Sequence, residues 1–221
     1  MMNSILLTHD GSKSLQSERY GVGYHSRYGA VTESAHVFIG AGLRYKAVVQ
    51  SDIRILETGF GTGLNAMMTL AEAEKRNLTV EYLGLETHPV SSDDVAHLEY
   101  PAYLEMPHLE QSYLFMHSCD WEVPLRLTDF YTFRKSATPI EVFCLPHYFD
   151  LIYFDAFAPQ AQPELWELPV LERMFSSLRS EGALVTYCAQ GAFRRNLKQA
   201  GFHIEKLQGP PGKREMTRAI K

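Results

Sequence analysis

The sequence predicts an α/β fold built on a mainly parallel β-sheet, and three observations carry that expectation. Asp52–Glu57 alternates as a short strand and closes on a glycine cluster at 59–63; Leu64, Met67, Met68 and Ala71 then recur at helical spacing as far as Arg76. Thr79–Glu86 alternates as a second strand, so strand, glycine turn, helix and strand form one βαβ unit, which demands parallel pairing. Farther on, Asp150–Asp155 is an apolar run ending in an acid, the signature of a buried strand.

The remaining elements follow in order. Residues 14–50, rich in Tyr, Ser and Gly around the apolar patch Val37–Ile39, predict loops, short strands or a helix; residues 1–50 are expected to be an N-terminal extension packed on one domain, 51–221. Pro101, Pro107, Pro124, Pro139 and Pro146 interrupt 89–147, where 123–128 and 130–135 predict a hairpin whose second arm is the third sheet strand. Pro169 can start a helix with Leu171, Met174, Phe175 and Leu178 on one face and Gly182 as its stop. Ala183–Cys188, a helix around Arg194–Gln199, Phe202–Leu207 and Met216–Ile220 complete the series. The last two leave no room for a helix between them and should pair antiparallel near the sheet edge.

Composition narrows the function classes. Hydrophobic residues at 45% and charged residues at 21% suit a folded globular chain, and no apolar run is long enough to span a membrane. The first residues lack the charged start and apolar stretch of a secretory signal. Cys119, Cys144 and Cys188 are far apart, as expected of free thiols in a reducing cytoplasm. Cys144–His147 is half a zinc spacing without a second pair, so no metal is assigned. The net charge of −5 argues against a protein that coats nucleic acid. It is uneven, however: Gln190–Lys221 carries eight positive and two negative residues, +6, leaving −11 for everything before it. A local basic face of this kind suits a few phosphates, or simply a solvated surface.

Three segments carry chemistry. Glu57-Thr58-Gly59-Phe60-Gly61-Thr62-Gly63-Leu64-Asn65 sets an acid and alternate glycines between strand and helix, where a ligand can approach the backbone. The spacing is G-x-G-x-G, whereas a dinucleotide fingerprint needs a glycine at Leu64. Glu86 ends the second strand, placed to accept both hydroxyls of a ribose. Asp155 ends the buried strand on the same sheet edge, followed by Ala156-Phe157-Ala158-Pro159 and Pro163-Glu164-Leu165-Trp166. Each acid has a structural alternative as a cap or turn residue, but three at one edge exceed what packing requires.

Taken with T-Y-C-A-Q-G-A-F-R-R-N-L (186–197), G-P-P-G-K-R-E-M (209–216) and T-E-S-A-H-V-F-I (32–39), these segments resemble the tRNA 5-aminomethyl-2-thiouridine methyltransferases. That family comprises the methyltransferase half of bifunctional MnmC and the stand-alone MnmD type. The resemblance implies a Rossmann-like S-adenosylmethionine-dependent methyltransferase with a seven-stranded sheet and one antiparallel strand. It would convert the 5-aminomethyl group of a wobble uridine in tRNA to 5-methylaminomethyl in the cytoplasm, on substrate supplied by upstream modification enzymes and without a flavin oxidoreductase half. Cofactor contacts would come from Glu57, Gly59, Gly61, Thr62, Gly63, Asn65 and Glu86, and Asp155 would orient the amine. Phe157, Pro159 and Trp166 would wall the uracil, while Arg194, Arg195, Lys213 and Arg214, the last two on an exposed hairpin loop, would hold phosphates of the anticodon stem-loop. Gly209 and Gly212 would allow that close approach. Where the family often has an acid near the adenine, this chain has Ser136-Ala137-Thr138-Pro139. The competing readings are an N-methyltransferase of a small amine or protein and a non-catalytic tRNA-binding module. An NAD-linked dehydrogenase is disfavoured by the glycine spacing.

Overall fold

A computed structural model describes residues 3–221. A hairpin of β1 (Ser4–Leu7) and β2 (Lys13–Gln16) opens it, followed by α1 (Ala30–Ser34), which runs directly into a π-helix (Ala35–Arg44). No side chain at Gly29 caps α1; instead Asp10 Oδ2 accepts from Thr32 N at 2.9 Å and Thr32 Oγ1 at 2.8 Å. Burial alone would raise the Asp10 pKa, but hydrogen bonds from Ser12, Thr32 and Thr8 hold it at about 2. The anion thereby ties the hairpin turn to the helix that enters the site.

The βαβ unit comprises β3 (Asp52–Thr58), α2 (Leu64–Arg76) and β4 (Thr79–Leu85). Residues 89–124 supply three short helices: α3 (Ser92–Ala96), α4 (Tyr100–Tyr103) and α5 (Glu110–Ser118). Next come β5 (Leu125–Arg126), β6 (Tyr131–Ser136), β7 (Phe149–Phe154), α6 (Leu168–Ser177), β8 (Leu178–Thr186), α7 (Gly191–Gln199), β9 (His203–Gln208) and β10 (Glu215–Ile220). The main sheet has the order β5-β6-β4-β3-β7-β8-β10-β9. Its centre is parallel; β10 runs antiparallel to β9, as their short connection demanded, and inserts between β9 and β8, antiparallel to β8 as well.

Two expectations need correction. The sheet has eight strands rather than seven, because Leu125–Arg126 adds an antiparallel edge to β6. Gly182 does not end a helix: α6 stops at Ser177 and Gly182 lies within β8, beside a register shift against β7. A Cβ there would sit 2.8 Å from the Arg179 carbonyl oxygen, so glycine is needed for the irregular strand.

Strand alternation divides the core. Ile55, Leu151, Tyr153 and Val185 face the π-helix and α2 with Phe38, Leu43 and Leu70. Their neighbours Leu56, Ile152, Phe154 and Leu184 face α6 and α7 with Leu171, Met174 and Leu197. Strand order reverses at β3, between β4 and β7, which is where an open α/β sheet leaves a crevice beyond its carboxyl ends.

Candidate active site

The glycine loop closes the end of β3. Gly59, Gly61 and Gly63 have φ of 86°, 48° and 71°, and the Gly59 and Phe60 amides both donate to the Leu85 carbonyl at 3.1 Å. A Cβ at Gly59 would come within 2.7 Å of the Asp155 carbonyl oxygen, and one at Gly63 within 2.6 Å of His117 Nε2. These two glycines are therefore required by the turn and by protein neighbours, while a Cβ at Gly61 would meet the Tyr24 ring at 3.1 Å. From outside, α5 braces the loop: Tyr113 Oη donates to the Thr62 carbonyl at 2.9 Å and His117 Nε2 lies 3.2 Å from it. Burial pushes the His117 pKa down to about 4, so its ring is neutral at pH 7 and can donate that bond.

Beyond the loop lies a cleft of about 540 Å³, lined among others by Glu86, Asp155, Asn65, Glu33, Phe157 and Lys213. Glu86 accepts from Gly61 N at 2.9 Å and His88 N at 2.7 Å, which aims its carboxylate along the loop. Glu57 lies underneath rather than in the cleft, 1% exposed. Burial, reinforced by the Asp155 charge, raises its pKa well above the carboxylate range, and its Oε2 has no partner within hydrogen-bond distance. Asn65 connects the acids: its Nδ2 donates at 2.8 Å to both Glu57 Oε1 and Asp155 Oδ2, while Ser34 Oγ donates to its Oδ1. Burial pushes Asp155 up to about 7; the Glu33 charge adds to this, while the Asn65 bond and the Lys213 charge oppose it.

Several site residues lie elsewhere than expected. Phe157 lines the cleft, its ring 4.7 Å from Tyr20 and 4.9 Å from Tyr24, so an aromatic corner does form. Trp166 is not part of it: buried, it donates from Nε1 to the Phe157 carbonyl at 2.8 Å and packs its ring on Phe154 and Phe193. Pro159 lines a second cavity of about 500 Å³, which shares Ala158, Tyr187 and Lys213 with the first. Arg194 is buried and committed internally, to Glu215 at 2.6 Å, Thr217 Oγ1 at 3.0 Å and the Met216 carbonyl at 2.9 Å. Arg195 and Arg214 are exposed.

Lys213 is the largest departure. Instead of standing on an exposed loop, its Nζ lies 2.5 Å from Glu33 Oε1 and 3.9 Å above the centre of the Tyr187 ring. Gly212, at φ +83°, is dictated by Tyr28, whose ring a Cβ would strike at 2.1 Å; a Cβ at Gly209 would meet the Lys213 carbonyl at 2.4 Å. Both glycines serve internal packing. Sequence reasoning missed Glu33, Tyr187 and His25, all of which line the cleft. The signal available was that Glu33 lies inside the 32–39 segment and Tyr187 inside 186–197, whereas His25 lies in neither.

A family model described as S-adenosyl-L-methionine-dependent methyltransferase matches residues 113–221, the half that contains Asp155 and Lys213. The bifunctional MnmC protein of Paracidovorax citrulli is 31% identical over 91% of this chain, and that of Aromatoleum aromaticum 31% over 97%. The crystal structure of MnmC2 from Aquifex aeolicus superposes with a TM-score of 0.78 at 26% identity, covering 98% of this chain and 69% of that one. The chain belongs to the S-adenosyl-L-methionine-dependent methyltransferases. It spans about one third of the bifunctional relatives, 33% and 34% of their lengths. A methyltransferase described as acting on an amino pentose, CalS10 of Micromonospora echinaspora, shares the fold alone, with a TM-score of 0.52 at 13% identity over 88% of this chain and 92% of that one.

The cleft of this methyltransferase fits its cofactor. Its volume falls in the range that holds a ligand of that size, and Glu86 offers a carboxylate to hydroxyls at one end. Leu85, Pro139 and Ile140 offer an apolar wall for a base, and Thr138 lines the same region.

Proposed function

We propose that this methyltransferase modifies the 5-aminomethyl group of a wobble uridine in tRNA, giving 5-methylaminomethyl. The observation that carries the reading is Asp155, a strand-end carboxyl bridged by Asn65 and open to the cleft beside the Phe157 aromatic corner. Similarity to proteins named for 5-methylaminomethyl-2-thiouridine biosynthesis supports the acceptor.

In this reading Glu86 receives the ribose hydroxyls, in place of or beside its present amide donors. Gly59, Gly61, Thr62 and Gly63 shape the loop on which the cofactor's amino-acid part rests. Glu57 acts from beneath by fixing Asn65. When bound, S-adenosylmethionine supplies a methyl on sulfonium: the amine's lone pair forms the new N–C bond, the S–C electron pair stays on sulfur, and one proton leaves the nitrogen. Asp155 accepts a hydrogen bond from the amine and orients its lone pair, the positioning that such displacements reward. Phe157 stacks on the uracil, a base that an anticodon loop extrudes at little cost. Arg195 and Arg214 hold phosphates.

Such a protein would work in the cytoplasm on tRNA already processed by upstream enzymes; among the described residues no helix is long and apolar enough to cross a membrane. The test is incubation with S-adenosylmethionine and tRNA lacking the final methyl, followed by nucleoside mass analysis. The expected product is the wobble nucleoside one methyl heavier. Methylation of free amines or protein, with tRNA untouched, would overturn the reading.

A further inference from the structure

The site contains one ion pair for which the reaction above has no use. Glu33 is buried at the end of α1, its Oε2 held by Ser26 N at 2.9 Å and its Oε1 by Lys213 at 2.5 Å. Lys213 comes from the β9–β10 connection, 180 residues away in sequence, and lines both the cofactor cleft and the second cavity. Tyr187 lies beneath the ammonium, with its own hydroxyl donated to the Ala156 carbonyl at 2.8 Å. A lysine held at a carboxylate, over a ring and between two cavities is a placed charge rather than a solvated one.

We propose that Glu33 and Lys213 form a positioning pair for the methyl acceptor, in which Glu33 pins Lys213 so that its positive charge, at the join of the two cavities, disfavours the protonated acceptor amine beside Asp155. This deepens the tRNA reading and rests on it for the identity of the amine. The chemical need is definite. A primary alkylamine of the lysine kind has a pKa of about 10.4 and carries its extra proton at pH 7, with no lone pair to offer. Asp155 and Glu33, as anions, would raise that pKa further; a fixed ammonium is the group in the site that lowers it. The proton lost by R–NH3+ passes to Asp155 or to water, leaving R–NH2, and no other reactant is required.

The charged and titratable groups that face Lys213 come from several elements. They are Glu33 on α1, Asp155 after β7, Tyr187 and Cys188 after β8, and His25 from the N-terminal loop. Arg214 and Glu215 adjoin it on its own segment and share the second cavity. Burial pushes His25 down to about 4, so it is neutral at pH 7, and Glu215 is tied to Arg194. The pair and Asp155 are therefore the charges that set the local field, with Arg214, unpaired among the described residues, the further charge beside them, exposed to solvent.

Two measurements test this. Carbon-13 carboxyl NMR of the free protein, with Asp155→Asn for assignment, follows the Asp155 titration in wild type, Lys213→Met, Lys213→Arg and Glu33→Gln. The midpoint should rise by about one pH unit in Lys213→Met and stay near wild type in Lys213→Arg, and it should fall by a similar amount in Glu33→Gln, whose amide oxygen still accepts from Lys213 while the negative charge is gone, the scale expected of a unit charge a few ångströms away. The acidic limb of methyl transfer to tRNA lacking the final methyl should move in the same directions, with S-adenosylmethionine affinity and the salt dependence of tRNA binding unchanged. Melting curves identify any variant that fails to fold, and Lys213→Arg then decides the charge effect alone. Midpoints that do not move, or that move in the same direction for both charge removals, overturn the proposal. So does a Lys213→Met variant whose tRNA salt slope falls while the limb stays fixed, since that is the mark of a phosphate contact. If wild type methylates no tRNA, the tRNA reading fails, while the carboxyl titration still decides what the pair does.

Discussion

Asn65 uses both amide hydrogens on carboxyl groups, Glu57 and Asp155, that burial and mutual repulsion would otherwise keep apart. That bridge makes Asp155 both useful and costly. Its carboxyl binds a proton more tightly folded, at about 7, than at the ordinary value of 3.8. It therefore contributes stability below the unfolded value that is lost as pH rises through 7, the opposite sign to a salt-bridged aspartate. Asp155→Asn should leave the melting temperature nearly unchanged at pH 4 and raise it by a few degrees at pH 8. Turnover of the same variant should fall far more than its S-adenosylmethionine affinity. Thermal melts at the two pH values and kinetics at saturating tRNA check both halves. Glu86 and Asp155 could be picked out in the sequence because each ends an apolar strand. Glu33 could not, since it lies in a short helix whose neighbours only the fold supplies.

Among the elements, α5 and α7 did most that the sequence concealed. The 89–147 stretch, broken by prolines, contributes α5, whose Tyr113 and His117 both point at the Thr62 carbonyl. Gly63→Ala would place a methyl 2.6 Å from His117 Nε2 at a φ of +71°. The strain should cost about 2 kcal/mol or more. Differential scanning calorimetry should show the lower melting temperature, and titration calorimetry a weaker grip on the cofactor because the loop must shift. The segment before α5 carries little periodic signal, and the place of α5 and that segment over the glycine loop arises from burial of Tyr113 and Met116 on α5 and of Tyr100 before it. On α7, Arg194 and Arg195 are adjacent in sequence and opposite in fate. A 3.6-residue turn sends Arg194 inward to three partners on β10 and leaves Arg195 in water.

At the scale of the whole molecule, the basic tail is less basic than its count suggests. Arg194, Lys213 and Arg218 are ion-paired to Glu215, Glu33 and Glu205, and Lys221 donates to the Phe175 and Leu178 carbonyls. Arg195, Lys198, Lys206 and Arg214 are exposed and form no ion pair among the described residues. Changing Arg195 and Arg214 together to Ala should weaken tRNA binding and reduce its logarithmic salt slope by up to about 0.7 per lost contact. Arg194→Ala should leave that slope alone and lower thermal stability instead, by about 2 kcal/mol, because it strips partners from buried acceptors. Filter binding at several salt concentrations, beside melting curves, separates the two.

The sequence by itself determined the layered α/β architecture, the antiparallel final strand and the sheet edge that holds Glu86 and Asp155. Those are consequences of local periodicity, turn chemistry and connection length, which neighbouring residues encode among themselves. Only the tertiary structure decided that Lys213 pairs with Glu33 at the cleft instead of standing on an exposed loop, that Arg194 and Trp166 belong to the interior, and that Gly59 and Gly63 make room for protein rather than ligand. The reason is physical: a charge or a ring becomes a ligand contact, an ion pair or a core residue according to what lies within a few ångströms, and for Lys213 that neighbour is 180 residues away.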